Sequence, residues 1–453
     1  MSVHGGNDMK KRIAVFLLLC LLCSALLMTS GCDGCGKDMN AVYYLNFKPE
    51  VASVYDRIAT AYKAETGKTL RVVTAASGTY EQTLKSEISK SDAPAIFQFN
   101  GPVGYESWKE YCSDLSGTEI YKHLSDKDVA FGNQDGVWGI PYVVEGYGII
   151  YNKRLTDAYF ALPGRSSTVG SMEEITSFSA LRSVVEDMTR RKSELGIDGV
   201  FACTSLKSGE EWRWTTHLAN VALNREFADN GTDLTHADQI KDVTFKYSDQ
   251  YKQLFDLYLN NSTTEPRLLG SKQVSDSMAE FALEKCIMVQ NGNWAWSQIS
   301  EISGNKVKAE NIKMMPIYMG IEGEATRGIC VGTENYLAIN AKLSEEKQRA
   351  AADFLWWLYN SDTGKSFVTN ELAFISPFDT FGEGETPSDP LSKDVMDWIA
   401  REDRKTVTWD FVVFPGQNFK DDFGAALLQY AQGTKTWAQV KETFVQRWHE
   451  ERS

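Results

Sequence analysis

The sequence predicts an α/β protein of more than one domain, held outside the cytoplasm. Segments patterned as strands alternate with segments patterned as helices from residue 41 onward. The chain has 453 residues, more than a single core usually holds. Its first 31 residues read as a targeting signal rather than as fold.

Ala41 to Phe47 is an apolar, aromatic run of strand character. Val51, Val54, Tyr55, Ile58 and Tyr62 then recur at helical spacing, and Gly67 stops that helix. Leu70 to Thr74 reads as a second strand. Thr79 and Gln82 form a capping-box pattern ahead of Tyr80, Leu84 and Ile88, which give the next helix its face. Ala95 to Phe99 is a third strand. The order β-α-β-α-β implies a mostly parallel sheet with helices packed on it. Ligands of such sheets sit at the carboxyl ends of the strands, where Asn46, Tyr80 and Asn100 fall. The second half follows the same logic without a detectable repeat. Phe178 to Met188 and Ala350 to Tyr359 are helices, Gly199 to Cys203 a short strand, and Thr436 with Gln439 another capping box. Phe381 to Pro390, rich in Gly, Pro and Glu, reads as an exposed loop.

At the N-terminus, Lys10, Lys11 and Arg12 precede an almost unbroken apolar run from Ile13 to Met28, and small residues follow it. That run is shorter than the roughly 20 residues a spanning helix needs. Thr29-Ser30-Gly31-Cys32 resembles a bacterial lipobox, with Thr29 standing where an aliphatic residue is usual. The resemblance makes 1–31 a lipoprotein signal peptide, Cys32 the lipidated residue and 32–40 a tether. An uncleaved anchor or a plain secretory signal is the alternative, and each puts the body of the protein outside the cytoplasm. Of eight cysteines, Cys112, Cys203, Cys286 and Cys330 are scattered through the body and read as buried thiols, with a disulfide left open.

The net charge of -14 argues against a nucleic-acid partner, since phosphates would meet no compensating charge. Nucleophile-elbow, zinc-helix and phosphate-loop motifs do not occur, and the chain has five His, so metal and nucleophile–His catalysis find little support. A glycan-degrading enzyme needs only two cleft carboxylates, which 61 acidic residues never exclude, and it remains the alternative class.

Several segments resemble family 1 of the bacterial extracellular solute-binding proteins, the carbohydrate-binding group typified by maltose-binding protein. Asp135 to Lys153, with Pro141, Glu145 and Tyr151-Asn152-Lys153, resembles the family's hinge-strand segment. Glu284 to Ile299, containing Asn291-Gly292-Asn293-Trp294, is similar to the segment that carries a sugar-stacking Trp. Gly328 to Ala341 with the helix through Tyr359, and Gly433 to Thr436 with its helix, also fit. The resemblance implies a two-lobed periplasmic-binding-protein-like fold (type II) with a ligand cleft between hinged lobes. Carried onto this chain, it gives 41–143 plus 316–373 as the first lobe and 144–315 plus 374–453 as the second. The crossovers then fall near Tyr142 to Gly146, Met314 to Tyr318 and Leu372 to Pro377. The implied partners are a carbohydrate, the permease subunits of an ABC importer, and the membrane through a lipid anchor. A monomer with neither cofactor nor metal is expected, and a non-sugar solute is the alternative ligand.

A pyranose offers apolar C–H faces that aromatic rings cover, and rim hydroxyls that carboxylates, amides and guanidinium groups bond. Trp294 matches the family's stacking Trp, while neighbouring Trp296 reads as core. Glu145 is a carboxylate in an apolar strand and needs a partner, either a sugar hydroxyl or a backbone N–H. Glu211 and Trp212 resemble an acid-plus-aromatic pair of the family, although Trp212 and Trp214 also fit a helix face in the core. Phe99, Asn100 and Tyr80 stand at strand ends of the first lobe. Asn293 flanks Trp294, and Arg327 is either a ligand contact or a solvated loop charge. Phe419 stands near the family's last aromatic contact. The acid and base of a maltose-type site near Phe99 have no counterpart, which places maltose specificity in doubt.

Overall fold

The computed structural model describes residues 41–76, 78–234, 239–333 and 335–452. The signal, Cys32, the tether and Ser77 lie outside the described residues. Eleven strands form among them: β1 Val42–Asn46, β2 Leu70–Thr74, β3 Ile96–Phe99, β4 Phe131–Asn133, β5 Gly136–Pro141, β6 Glu145–Asn152, β7 Met288–Gly292, β8 Ile312–Met315, β9 Arg327–Gly332, β10 Tyr336–Ile339 and β11 Lys405–Thr408.

They make two sheets with helices on both faces, which is the expected two-lobed α/β architecture. The first sheet runs β2-β1-β3-β10-β5-β4, and the second β11-β9-β6-β7 with β8 also on β6. β1 pairs in parallel with β2 and β3, as the alternation of strands and helices predicts. Alternate residues of β1 feed opposite cores. Tyr44 packs with Tyr55, Ile58 and Phe354 on one face, while Tyr43 and Leu45 pack with Leu84 and Phe97 on the other. Beyond β3 the described strand pairings are antiparallel apart from β11 on β9. β10, by which the chain re-enters the first sheet from the other lobe, is antiparallel to β3 and β5, and β6, by which it first enters the second sheet, is antiparallel to β7, β8 and β9.

The capping box at the last helix forms: Thr436 N–H donates to Gln439 Oε1 at 2.9 Å, and Gln439 N–H returns to Thr436 Oγ1 at 3.4 Å. The one expected at Thr79 does not, because the Thr79 hydroxyl donates to Ala76 O at 2.9 Å. The short strand at Gly199–Cys203 reduces to bridges from Phe201 to Ser262 and Met288. Among the described residues no helix is long and apolar enough to cross a membrane.

The chain first changes sheet between Pro141 and Glu145. Its later changes fall elsewhere than Met314–Tyr318 and Leu372–Pro377. Ile317, Tyr318 and Ile321 stay in the core of the second sheet, and β9 pairs with β6, so the second crossing lies between Gly332 and Tyr336 rather than at Met314–Tyr318. Phe374 and Phe378 pack in the first lobe, and Lys365 pairs with Glu385 at 2.8 Å. Leu391 and Val395 pack in the second, so the third crossing lies between Glu385 and Pro390, within the Gly- and Pro-rich loop. The lobes meet again beyond these crossings. Helix Gly101–Trp108 packs on Phe411–Val413, and the Gly78 backbone lies so close to Gly209 that a Cβ there would stand 2.8 Å from its Cα. The arrangement is closed.

Candidate functional site

One end of the second sheet gathers the start of β6 and the ends of β7, β9 and β11. Glu145 pairs with Gly332, Tyr147 with Gly292, and Thr408 with Val331. Two of the strands that end here lead into an indole. Trp294 follows β7 and Trp409 follows β11, while Trp212 precedes a helical turn, Arg213–Leu218, that brings His217 into the same cluster. Ring centroids of Trp294 lie 5.9 Å from Trp212, 5.5 Å from His217 and 6.1 Å from Trp409.

Two glycines make this possible by lacking a side chain. A Cβ on Gly292 would strike the Trp294 ring, and one on Gly332 would strike Trp409. Gly292→Ala is therefore expected to push the Trp294 indole off the strand end with the sheet pairing intact. A red-shifted tryptophan emission with unchanged far-ultraviolet circular dichroism would report it, and an unaltered emission spectrum would count against this seating of the ring.

The first lobe covers the cluster with one cation. Asn46, at the end of β1, folds the chain back on itself: its Nδ2 donates to Lys48 O at 2.8 Å and its Oδ1 accepts from Lys48 N–H at 3.2 Å. That turn aims Lys48 across the crossings, where Nζ donates to both oxygens of Glu145, at 2.9 and 3.0 Å. Glu50 lies 3.6 Å away, and the ammonium stands 5.7 Å from the Trp294 ring centre. Both partners are buried. Burial raises the Glu145 pKa, and the charge of Lys48 opposes that rise. A second buried cation, Arg213, stacks its guanidinium 3.7 Å from the Trp212 ring centre and donates Nε–H to Asn291 Oδ1 at 3.0 Å.

The structure thus brings Trp294, Trp212 and Glu145 together, with Glu145 answered by a cross-lobe ammonium instead of a backbone N–H. It disperses the other expected residues. Phe99 is enclosed by Tyr336, Phe131 and Tyr105, and Phe419 by Phe444 and Trp448; rings packed on all sides present no face to a ligand. The Tyr80 hydroxyl is occupied by the backbone, accepting from Gln98 N–H at 2.6 Å and donating to Leu45 O at 3.4 Å. Asn293 ties β6 to a neighbouring helix, accepting from Gly146 N–H at 3.0 Å and donating to Ser392 Oγ at 3.0 Å.

Arg327 opens β9 at the end remote from Gly332 and reaches Asn224 at 3.4 Å, away from the indoles. Glu211 is turned into helix Gln417–Ala431, against Gly424, and burial followed by the nearby Asp421 carboxylate pushes its pKa to about 7. Asn100 keeps a half-buried position at a strand end, ahead of the helix that meets Phe411–Val413. Trp214 is core, its indole donating to Ser205 O at 3.1 Å, and Trp296 packs against the second lobe's core.

Sequence reasoning missed Lys48, Arg213, His217, Trp409 and Phe411. The run from Glu211 to His217, which puts a cation, a histidine and two indoles within seven residues, was the one available signal.

Comparisons with known proteins agree with the fold. Residues 57–394 match the family model described as bacterial extracellular solute-binding protein. Among solved structures, the chain is similar to a chitin oligosaccharide binding protein at 16% identity and a TM-score of 0.68, over 91% of this chain and 99% of that one. It is similar to the solute-binding protein RafE in complex with raffinose at 15% identity and a TM-score of 0.66, over 91% and 100%. A sugar transporter of Bacillus licheniformis in complex with stachyose aligns at 17% identity and a TM-score of 0.60, over 90% and 100%. No curated protein sequence matches the chain.

Proposed function

We propose that this chain, which belongs to the bacterial extracellular solute-binding proteins, captures a saccharide between its lobes and hands it to the permease of an ABC importer. The observation that carries the reading is the cluster of three indoles at the end of the second sheet, closed over from the first lobe by Lys48. Indole faces suit the C–H faces of a pyranose. The indole N–H groups of Trp294 and Trp409 are buried without a hydrogen-bond partner among the described residues, and sugar hydroxyls supply what such donors need. Three structurally similar proteins carry saccharides in their names, which adds support for the ligand class.

On this reading the lobes open about the three crossings, the ligand contacts both, and closure follows from its greater affinity for the closed form. The chain works as a monomer, tethered through a lipidated Cys32 on the outer face of the membrane, and binds without turnover. Maltose is not the favoured ligand, for want of the acid and base noted above.

Thermal unfolding across mono- and oligosaccharides, followed by calorimetry, tests this. At about 100-fold saturation a true ligand adds about 2.7 kcal/mol of stability. Trp294→Ala is expected to remove most of that gain. An undiminished gain would exclude Trp294 from the site, and conversion of an oligosaccharide to shorter products would replace the receptor with a glycan-degrading enzyme.

A further inference from the structure

We propose that His217 is the polar reader of this site, its imidazole hydrogen-bonding a hydroxyl of the bound saccharide. The inference rests on the saccharide reading above and adds a residue that determines specificity. Tyr147 stacks on the His217 ring at 4.2 Å and 24°, and Phe411 at 5.5 Å and 9°. Stacking of this kind uses the faces of the imidazole, so its nitrogens are to be answered at the edge, beside the indoles. Trp212 and Trp409 approach at 4.8 and 5.1 Å in T-shaped contacts, with Trp294 5.5 Å away, so the ring sits among all three indoles.

His217 is 1% exposed, and both Nδ1 and Nε2 lack a hydrogen-bond partner among the described residues. Packing alone would be served by a phenyl ring, with no buried nitrogen left unanswered. A neutral imidazole offers one donor and one acceptor on diverging sides of the ring, and a sugar hydroxyl, which both donates and accepts, can answer either one. The surroundings keep the ring neutral. Burial comes first, then the positive charges of Arg213 on its own turn, Lys48 from the first lobe and Lys420 from helix Gln417–Ala431. Of the nearby carboxylates, Glu145 is taken by Lys48 and Glu211 is turned into helix Gln417–Ala431. A neutral, hydroxyl-rich ligand is therefore the one this imidazole can read.

The test compares wild type with His217→Phe and His217→Gln by calorimetry against raffinose, stachyose, maltose and a chitin trisaccharide. Imidazole 15N shifts of the wild type are recorded with and without the tightest binder. Phe keeps the stack and loses both nitrogens, so unliganded thermal stability should hold while affinity falls about 10- to 100-fold. Gln, which restores a donor and an acceptor, should recover part of the loss, and the His217 nitrogen resonances should move on saturation. Wild-type binding with unchanged affinity in His217→Phe would overturn the inference and leave the saccharide reading standing. Absence of wild-type binding to every sugar would overturn both. Should His217→Phe fail to fold, the wild-type resonances decide: a shift supports the hydrogen bond, and no shift at saturation refutes it.

Discussion

Lys48→Met is expected to destabilise the protein at neutral pH by about 3–5 kcal/mol. The substitution keeps most of the side chain's volume and removes the ammonium that holds Glu145 through two bonds of 2.9 and 3.0 Å. Glu145 is 1% exposed, and Lys48 supplies the only hydrogen bonds it receives among the described residues. Its carboxylate must then stay charged in a dry interior or take up a proton, and either route costs free energy. Adding Glu145→Gln to Lys48→Met should return a large part of the loss, because the stranded charge goes with its partner. Urea midpoints for the four members of the cycle measure this. A Glu145→Gln effect that is the same in wild type and in Lys48→Met would show that the two residues are not coupled. The pair joins β6 of the second sheet to the segment after β1 of the first, beside the crossings, so the cycle also measures how strongly the closed lobes are held.

The reach of the sequence ended where direction and long-range pairing took over. β1, β2 and β3 were legible because alternate apolar residues feed two cores, a pattern carried entirely by local sequence. β9 was assigned to the wrong lobe because its run between Gly328 and Gly332 reads equally well as a strand of either sheet; its pairing with β6 decides, and that is a tertiary fact. The place of Trp294 just beyond β7 was legible from the turn before it. Phe99 and Phe419 were named from a strand end and from the family's last aromatic contact, yet their rings point into packed cores, and no one-dimensional signal reports which way a ring turns. Lys48 was illegible for a different reason. A lysine in a loop is ordinarily solvated, and nothing local shows that its partner stands 97 residues further on.

Stability is expected to fall as pH rises from about 5 to 8, the reverse of a protein whose carboxylates are all well paired. Two buried acids set the sign. Burial, followed by the nearby Asp421 carboxylate, pushes Glu211 from 4.5 to about 7, and burial pushes Asp410 from 3.8 to about 6. In the unfolded chain both ionise near their ordinary values, so between about pH 4 and 7 the folded state holds protons that the unfolded state has released. Bound protons then exceed those of the unfolded chain, and the slope of stability against pH is negative in that window. The stabilisation is complete below the unfolded values and is lost as pH passes the folded ones, at a cost of about 3 kcal/mol for each acid. Two groups oppose these acids: His217, which burial keeps neutral, does so below about pH 6.5 and offsets only one of the two, and Asp187, held low against its burial by hydrogen bonds from Ser166, Tyr159 and Arg190, does so only at the acid extreme. Glu211→Gln removes the buried charge with little change of shape, so it should raise the urea midpoint at pH 8 and raise it much less at pH 5. Equal gains at the two pH values would mean that Glu211 ionises normally in the fold, and that its place against Gly424 imposes no electrostatic cost.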